Sequence, residues 1–142
     1  MTSTSGRIIA VITIALIGLC ISLELSAKAP AAAAAAPKAL SIKRNMKIDD
    51  CAARGIVQDQ ILFIYSHSCP YCKEALPIVE RVVKNHSLES RYVPVDTLTD
   101  EGQDKLAGWG IEASYVPLLI KDCRAYVGSR DEKEYERILT GK

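Results

Sequence analysis

The chain has 142 residues, 25% of them charged, a formal net charge of +1 and five cysteines. That length admits one compact domain with an appendage, and a near-neutral balance gives no ground for nucleic-acid binding. Five cysteines with a single C-x-x-C pair are too few for a disulfide-stapled mini-protein of this size.

The chain begins with an uncharged run from Ile8 to Leu23, preceded by Arg7 and followed by Glu24. At ~1.5 Å rise per residue the run spans about 24 Å, short of a ~30 Å hydrocarbon core without help from its flanks. It reads as a signal-anchor or transmembrane segment over residues 1–27, with a cleaved signal as the alternative. Cys20 lies inside this run after a bulky Leu19, which argues against lipoprotein processing. Positive residues on both sides leave the orientation open. The order of charge, apolar run and small residues favours a membrane-held domain outside the cytoplasm, with a cytoplasmic face as the alternative. Residues 28–45 hold six alanines bracketed by Pro30 and Pro37 and read as a linker.

Residues 46–142 read as the domain, about 100 residues and an ordinary domain size. Met46–Arg54 has helical spacing and stops at Gly55. Ile61–Tyr65 is a continuous apolar run of buried-strand type. From Pro70 to about His86 apolar residues recur every three or four positions, predicting an amphipathic helix kinked at Pro77. Arg91–Val95 reads as a strand that Pro94 assigns to an edge. Thr99 or Asp100 caps a short helix that ends at the Gly108 and Gly110 pair. Val116–Lys121 and Arg124–Val127 flank Asp122-Cys123 as a β-hairpin. Ser129 and Glu132 have capping-box spacing for a last helix closed by Gly141. The predicted order, α-β-α-β-α-β-β-α, makes a four-stranded mixed sheet with helices on both faces.

The chemistry lies in Cys69-Pro70-Tyr71-Cys72, which follows a buried strand and opens a helix. A sulfur at a helix N-terminus meets unpaired amides and the positive end of the dipole, which favour a thiolate. Three-residue spacing returns the second sulfur to the same edge. Cys69 is therefore the expected nucleophile and Cys72 the shielded resolving thiol, with His67 and Lys73 adding positive potential and tuning activity. A zinc knuckle needs two more close ligands, and Cys51, Cys123, His67 and His86 are scattered, so no metal is expected.

The stretch Ile61–Pro77 (ILFIYSHSCPYCKEALP) resembles the thioredoxin superfamily, and C-P-Y-C is the choice typical of glutaredoxins. Pro77 follows Cys72 by five residues, and Leu106–Leu119 resembles the family's approach to its cis-proline. The resemblance implies a thioredoxin-like, glutaredoxin-type α/β fold and thiol-disulfide oxidoreductase activity. It implies that Pro117 is the cis-proline, that the Val116 backbone pairs with an extended substrate and that Tyr71 lines the groove. Ser68 and Phe63 stand where thioredoxins carry a tryptophan and a buried aspartate. Ser66-His67 and Gly128-Ser129 replace two glutathione-binding features of glutaredoxins, though the helix after Ser129 still offers an N-terminus to a carboxylate.

In such a topology Cys51 and Cys123 fall at the sheet end away from the motif, so a structural disulfide between them is allowed, two free thiols being the alternative. The expected activity is dithiol–disulfide exchange on protein disulfides or dithiols, with no resident cofactor and with glutathione or another thiol as a candidate co-substrate. The alternatives are a glutathione-dependent or iron–sulfur-cluster-binding module and a disulfide donor of the cell envelope.

Overall fold

The computed structural model describes residues 37–142. The expected membrane or signal segment 1–27 and residues 28–36 of the expected linker lie outside them. Among the described residues no helix is long and apolar enough to cross a membrane.

In chain order the strands are β1 (Leu40–Ile42), β2 (Met46–Lys47), β3 (Ile61–Tyr65), β4 (Tyr92–Asp96), β5 (Ile111–Ala113), β6 (Leu118–Lys121) and β7 (Arg124–Val127). The helices are α1 (Pro70–Asn85), α2 (Asp100–Trp109) and α3 (Glu132–Thr140). Five strands form one mixed sheet in the order β2-β7-β6-β3-β4, and β1 pairs in parallel with β5 beside it. β3 runs parallel to the edge strand β4 and antiparallel to β6, and its C-terminal end leads into α1.

Pleating sends alternate side chains of β3 to opposite faces. Leu62 and Ile64 join Ile42, Ile48, Leu106 and Ile120 on one side. Ile61 and Phe63 meet Val79 and Val82 of α1 and Tyr135 and Ile138 of α3 on the other. Both faces are covered, which is why β3 reads as an unbroken apolar run rather than an alternating one. Each large side chain buried this way contributes roughly 2–3 kcal/mol. Phe63 also meets the Tyr135 ring edge-on, with centroids 6.5 Å apart.

Local chemistry sets the element ends. The Thr99 hydroxyl accepts the Gly102 amide proton at 3.1 Å, starting α2, and Gly110 closes it at φ 62°. Gly102 lies against the Asp96 main-chain carbonyl, where a Cβ would clash. Asp122 (φ 49°) and Cys123 (φ 57°) turn the β6–β7 hairpin, consistent with a two-residue turn of primed type. Pro94 sits on β4, an edge strand, where its missing N–H breaks no ladder.

Three expectations are corrected. Met46–Arg54 is not a helix: Met46 pairs with Ala125 on β7, and only the single 3-10 turn Ala52–Arg54 remains, closed by Gly55 at φ 75°. The segment is too short to hold a helix alone, and sheet pairing outweighs its spacing. The sheet consequently has five strands rather than four, and residues 40–42 of the expected linker form β1, with Ile42 fully buried. α3 is capped not by Ser129 but by Asp131, whose carboxylate accepts the Glu134 amide proton at 2.8 Å. Arg130 is diverted to Glu134 Oε1 and to the Val127 carbonyl.

Arg54 explains how the N-terminal strand is held. Its guanidinium is almost fully buried and donates to the main-chain carbonyls of Lys38, Trp109 and Gly110 at 3.0–3.1 Å and to Asp50 Oδ1 at 2.8 Å. A cation placed on the final carbonyls of α2 also suits the negative end of that helix. Its hydrogen bond holds the Asp50 carboxyl below the usual carboxylate range.

Candidate active site

The site is built where β3 gives way to α1. The chain leaves the sheet at Tyr65 and turns through Ser66–Ser68, where the Ser66 hydroxyl accepts the Ser68 amide proton at 3.2 Å. The Cys69 amide donates to the Ser66 carbonyl at 3.1 Å, which brings Cys69 to the N-cap position of α1 in an extended conformation. Pro70 follows at the first helical position, where its missing donor costs nothing. The Cys69 carbonyl then accepts from the Cys72 and Lys73 amides, closing the first turn. No side-chain oxygen caps this helix and no carboxylate stands in its first turn.

The two sulfurs differ in access. Cys69 is half-buried, and its thiol donates to the Val116 carbonyl at 3.6 Å. Cys72 is 1% exposed. Burial pushes the Cys72 thiol up to about 11; the Ser66 amide opposes this, while Cys69 and Asp96 add to it. Cys72 is thus a protonated thiol across the neutral range.

Pro117 is buried at the base of β6, the Val116–Pro117 peptide is cis, and the Pro117 carbonyl accepts the Gly128 amide proton at 2.8 Å. Val116 therefore lies beside Cys69, and Tyr71 stands 66% exposed on the outer face of the motif. Lys73 is exposed as the fourth residue of α1. His67 Nδ1 donates a hydrogen bond to Asp96 Oδ2 at the end of β4. Burial raises the Asp96 carboxyl, but the Leu98 amide and His67 outweigh it and hold the group below its ordinary range.

Cys51 and Cys123 are bonded to each other, Cα to Cα 5.8 Å, across 72 residues. The bridge lies by the β6–β7 turn, at the end of the sheet opposite Cys69, because Lys121 is the register partner of Ile61 at the start of β3. Among the described residues no cluster of metal-ligating side chains occurs.

Two residues near the motif escaped the sequence reading. Asp96 was hidden because the pairing that carries it to His67 spans 29 residues. Tyr115, 57% exposed beside Val116, gave no periodic signal. An ordered pair of cysteines at a strand-to-helix junction, opposite a cis-proline at the start of an antiparallel strand, defines a two-cysteine site on a thioredoxin-like α/β fold.

The family model described as "TraF: F plasmid transfer operon protein" matches residues 22–120, more than half of the chain. A protein of Archaeoglobus fulgidus named "Probable Thioredoxin" is 35% identical over 75 residues, which span 52% of this chain and 78% of that relative. The chain belongs to the TraF family, within the thioredoxin superfamily.

Proposed function

We propose that this chain is a membrane-tethered thiol–disulfide oxidoreductase that exchanges dithiols and disulfides with protein substrates through Cys69 and Cys72. One observation carries the reading. Cys69 is half-buried against the Val116 carbonyl while its partner three residues on is sealed from solvent. In that arrangement the Cys69 sulfur attacks a substrate disulfide, one substrate thiol leaves, and a mixed disulfide forms. The Cys72 sulfur then attacks Cys69, releasing the second substrate thiol and leaving Cys69–Cys72 oxidised. Run in reverse, the same pair donates its disulfide, and the measured reduction potential assigns the direction. Relatives of this kind span about −120 to −270 mV.

Protein substrates are favoured over glutathione by the N-terminus of α3. Asp131 already caps that helix, Glu132 and Glu134 fill its first turn, and Arg130 is held by Glu134. A glutathione carboxylate would meet anions there. The Cys51–Cys123 bridge favours an oxidising compartment, and with the apolar run before the domain it supports a location at the outer side of a membrane. Protease access to the domain in intact cells tests that placement: protection of residues 37–142 until the membrane is breached from the cytoplasmic side overturns it.

The activity test uses insulin reduction with dithiothreitol as the electron source. Cys69→Ser is expected to remove activity by more than about a thousandfold, and Cys72→Ser to stall at the mixed disulfide. Full activity in Cys69→Ser overturns the reading. Glutathione-dependent turnover surviving in Cys72→Ser replaces the two-cysteine route with a one-cysteine one.

A further inference from the structure

The buried resolving thiol poses a problem that the cysteines do not solve between themselves. Cys72 must lose its proton to attack, yet it is 1% exposed. Before exchange the Cys69 sulfur could take that proton. In the mixed disulfide both Cys69 valences are filled, so another group must accept it.

The titratable groups facing the two sulfurs are few. The Tyr135 phenol of α3 feels the Cys72 sulfur, but burial above all raises it, so it holds its own proton at neutral pH. Tyr65 at the end of β3 is raised in the same way. Lys73 is exposed on α1. Glu101 and Lys105 of α2 are occupied with each other at 2.6 Å. That leaves Asp96 and His67.

Asp96 pairs in register with Tyr65, the residue before Ser66, and both the Asp96 charge and the Ser66 amide act on the Cys72 thiol. The Asp96 carboxylate is 11% exposed and holds the Nδ1 side of the His67 ring. Because that carboxylate accepts, Nδ1 carries the proton and the lone pair of the neutral ring lies on Nε2. The ring packs edge-on against Tyr65 with centroids 5.2 Å apart, which fixes it two residues before Cys69. A cleft of about 230 Å³ lined by Tyr65, His67, Asp96, Glu101 and Lys105 opens beside it and has room for water.

We propose that His67, oriented by Asp96, is the proton shuttle of the resolving step, an assignment that rests on the two-cysteine reading above. The Cys72 proton passes through water to His67 Nε2. The Cys72 thiolate attacks the Cys69 sulfur, the bond between Cys69 and the substrate breaks, and the Cys69–Cys72 bond forms. The leaving substrate thiolate then takes the proton from the His67 imidazolium. Two protein thiols are oxidised, one substrate disulfide is reduced to two thiols, and His67 returns to its starting state. Asp96 touches neither sulfur in this scheme and acts as a positioning residue.

The test treats the full chain, its Cys69 and Cys72 reduced and its Cys51–Cys123 bridge intact, with 5,5′-dithiobis(2-nitrobenzoate). Capture by Cys69 releases one thionitrobenzoate in a phase that scales with reagent concentration. Attack by Cys72 releases a second in a phase that does not. In His67→Gln, a change at an exposed side chain, the second phase is expected to slow by about tenfold or more. The first phase is expected to slow less than the second. The second phase should also change its pH profile, and added imidazole should restore part of the rate. Asp96→Asn is expected to slow the same phase less, because the ring loses its orienting partner but keeps its acceptor nitrogen. A second phase unchanged in rate and pH profile in His67→Gln overturns the proposal, as does equal slowing of both phases. Absence of any second phase in the unmodified chain overturns the two-cysteine reading instead.

Discussion

Cys69 and Cys72 stand three residues apart at one end of the sheet, while Cys51 and Cys123 stand 72 apart at the other. The near pair is placed by main-chain geometry: an N-cap, a proline and one helical turn. The distant pair is placed by tertiary structure, since Cys51 precedes a 3-10 turn and Cys123 sits in a left-handed hairpin turn. A short loop constrains the unfolded chain little, so the near pair is suited to opening and closing. A long loop removes much unfolded-chain entropy, so the distant pair is suited to holding.

The largest expected effect separates these roles most sharply. Replacing both Cys51 and Cys123 with Ser should lower stability by about 4 kcal/mol in denaturant titration while insulin reduction by the folded protein changes less than about twofold. A large loss of activity with intact fold would make the distant bridge part of the redox machinery.

Arg54→Gln comes next, because Arg54 follows Cys51 by three residues and joins the holding end to β1 and α2. Three main-chain carbonyls lose their donor, and a cost of about 2–3 kcal/mol is expected in the same titration. Hydrogen exchange should quicken in residues 38–42 and at the end of α2, with protection around Cys69 unchanged.

The smallest effect concerns pH and the near pair. In the folded, reduced protein the Cys72 thiol titrates at about 11 against an ordinary value near 9. Between those values the unfolded chain releases a proton that the folded one retains, so stability falls as pH rises from about 9 to about 11. The loss is on the order of 2 kcal/mol. Buried tyrosines contribute their own decline above about pH 10. The Cys72 share is therefore the difference between the reduced wild type and Cys72→Ser, and it should vanish on oxidation. Equal curves for the two proteins would mean that the near pair is open to water.

The sequence disclosed those parts of the fold that depend on neighbours in the chain. The apolar run Ile61–Tyr65, the stripe from Ala75 to Val83, the Thr99 cap and the Asp122-Cys123 turn all carry their cause within a few residues. The beginning of the domain did not. Met46 has helical spacing, and nothing near it announces that Ala125 is its partner. Leu40–Ile42 follows an alanine tract and resembles tether until Ile111 is brought alongside. The site divides in the same way. Cys69 and Cys72 are legible from spacing, whereas Asp96 becomes relevant only when β4 settles beside β3.

Gly102 bears on more than the packing of one helix. Its Cα rests on the carbonyl of the residue whose carboxylate holds His67, and even a methyl group there would push strand and helix apart. The missing side chain sets a mechanical tolerance, since the alignment of an imidazole near the sulfurs depends on an empty volume the size of one carbon atom. A substitution at this position, remote from every reacting atom, would disturb the seat of α2 on β4 and the placement of His67 together.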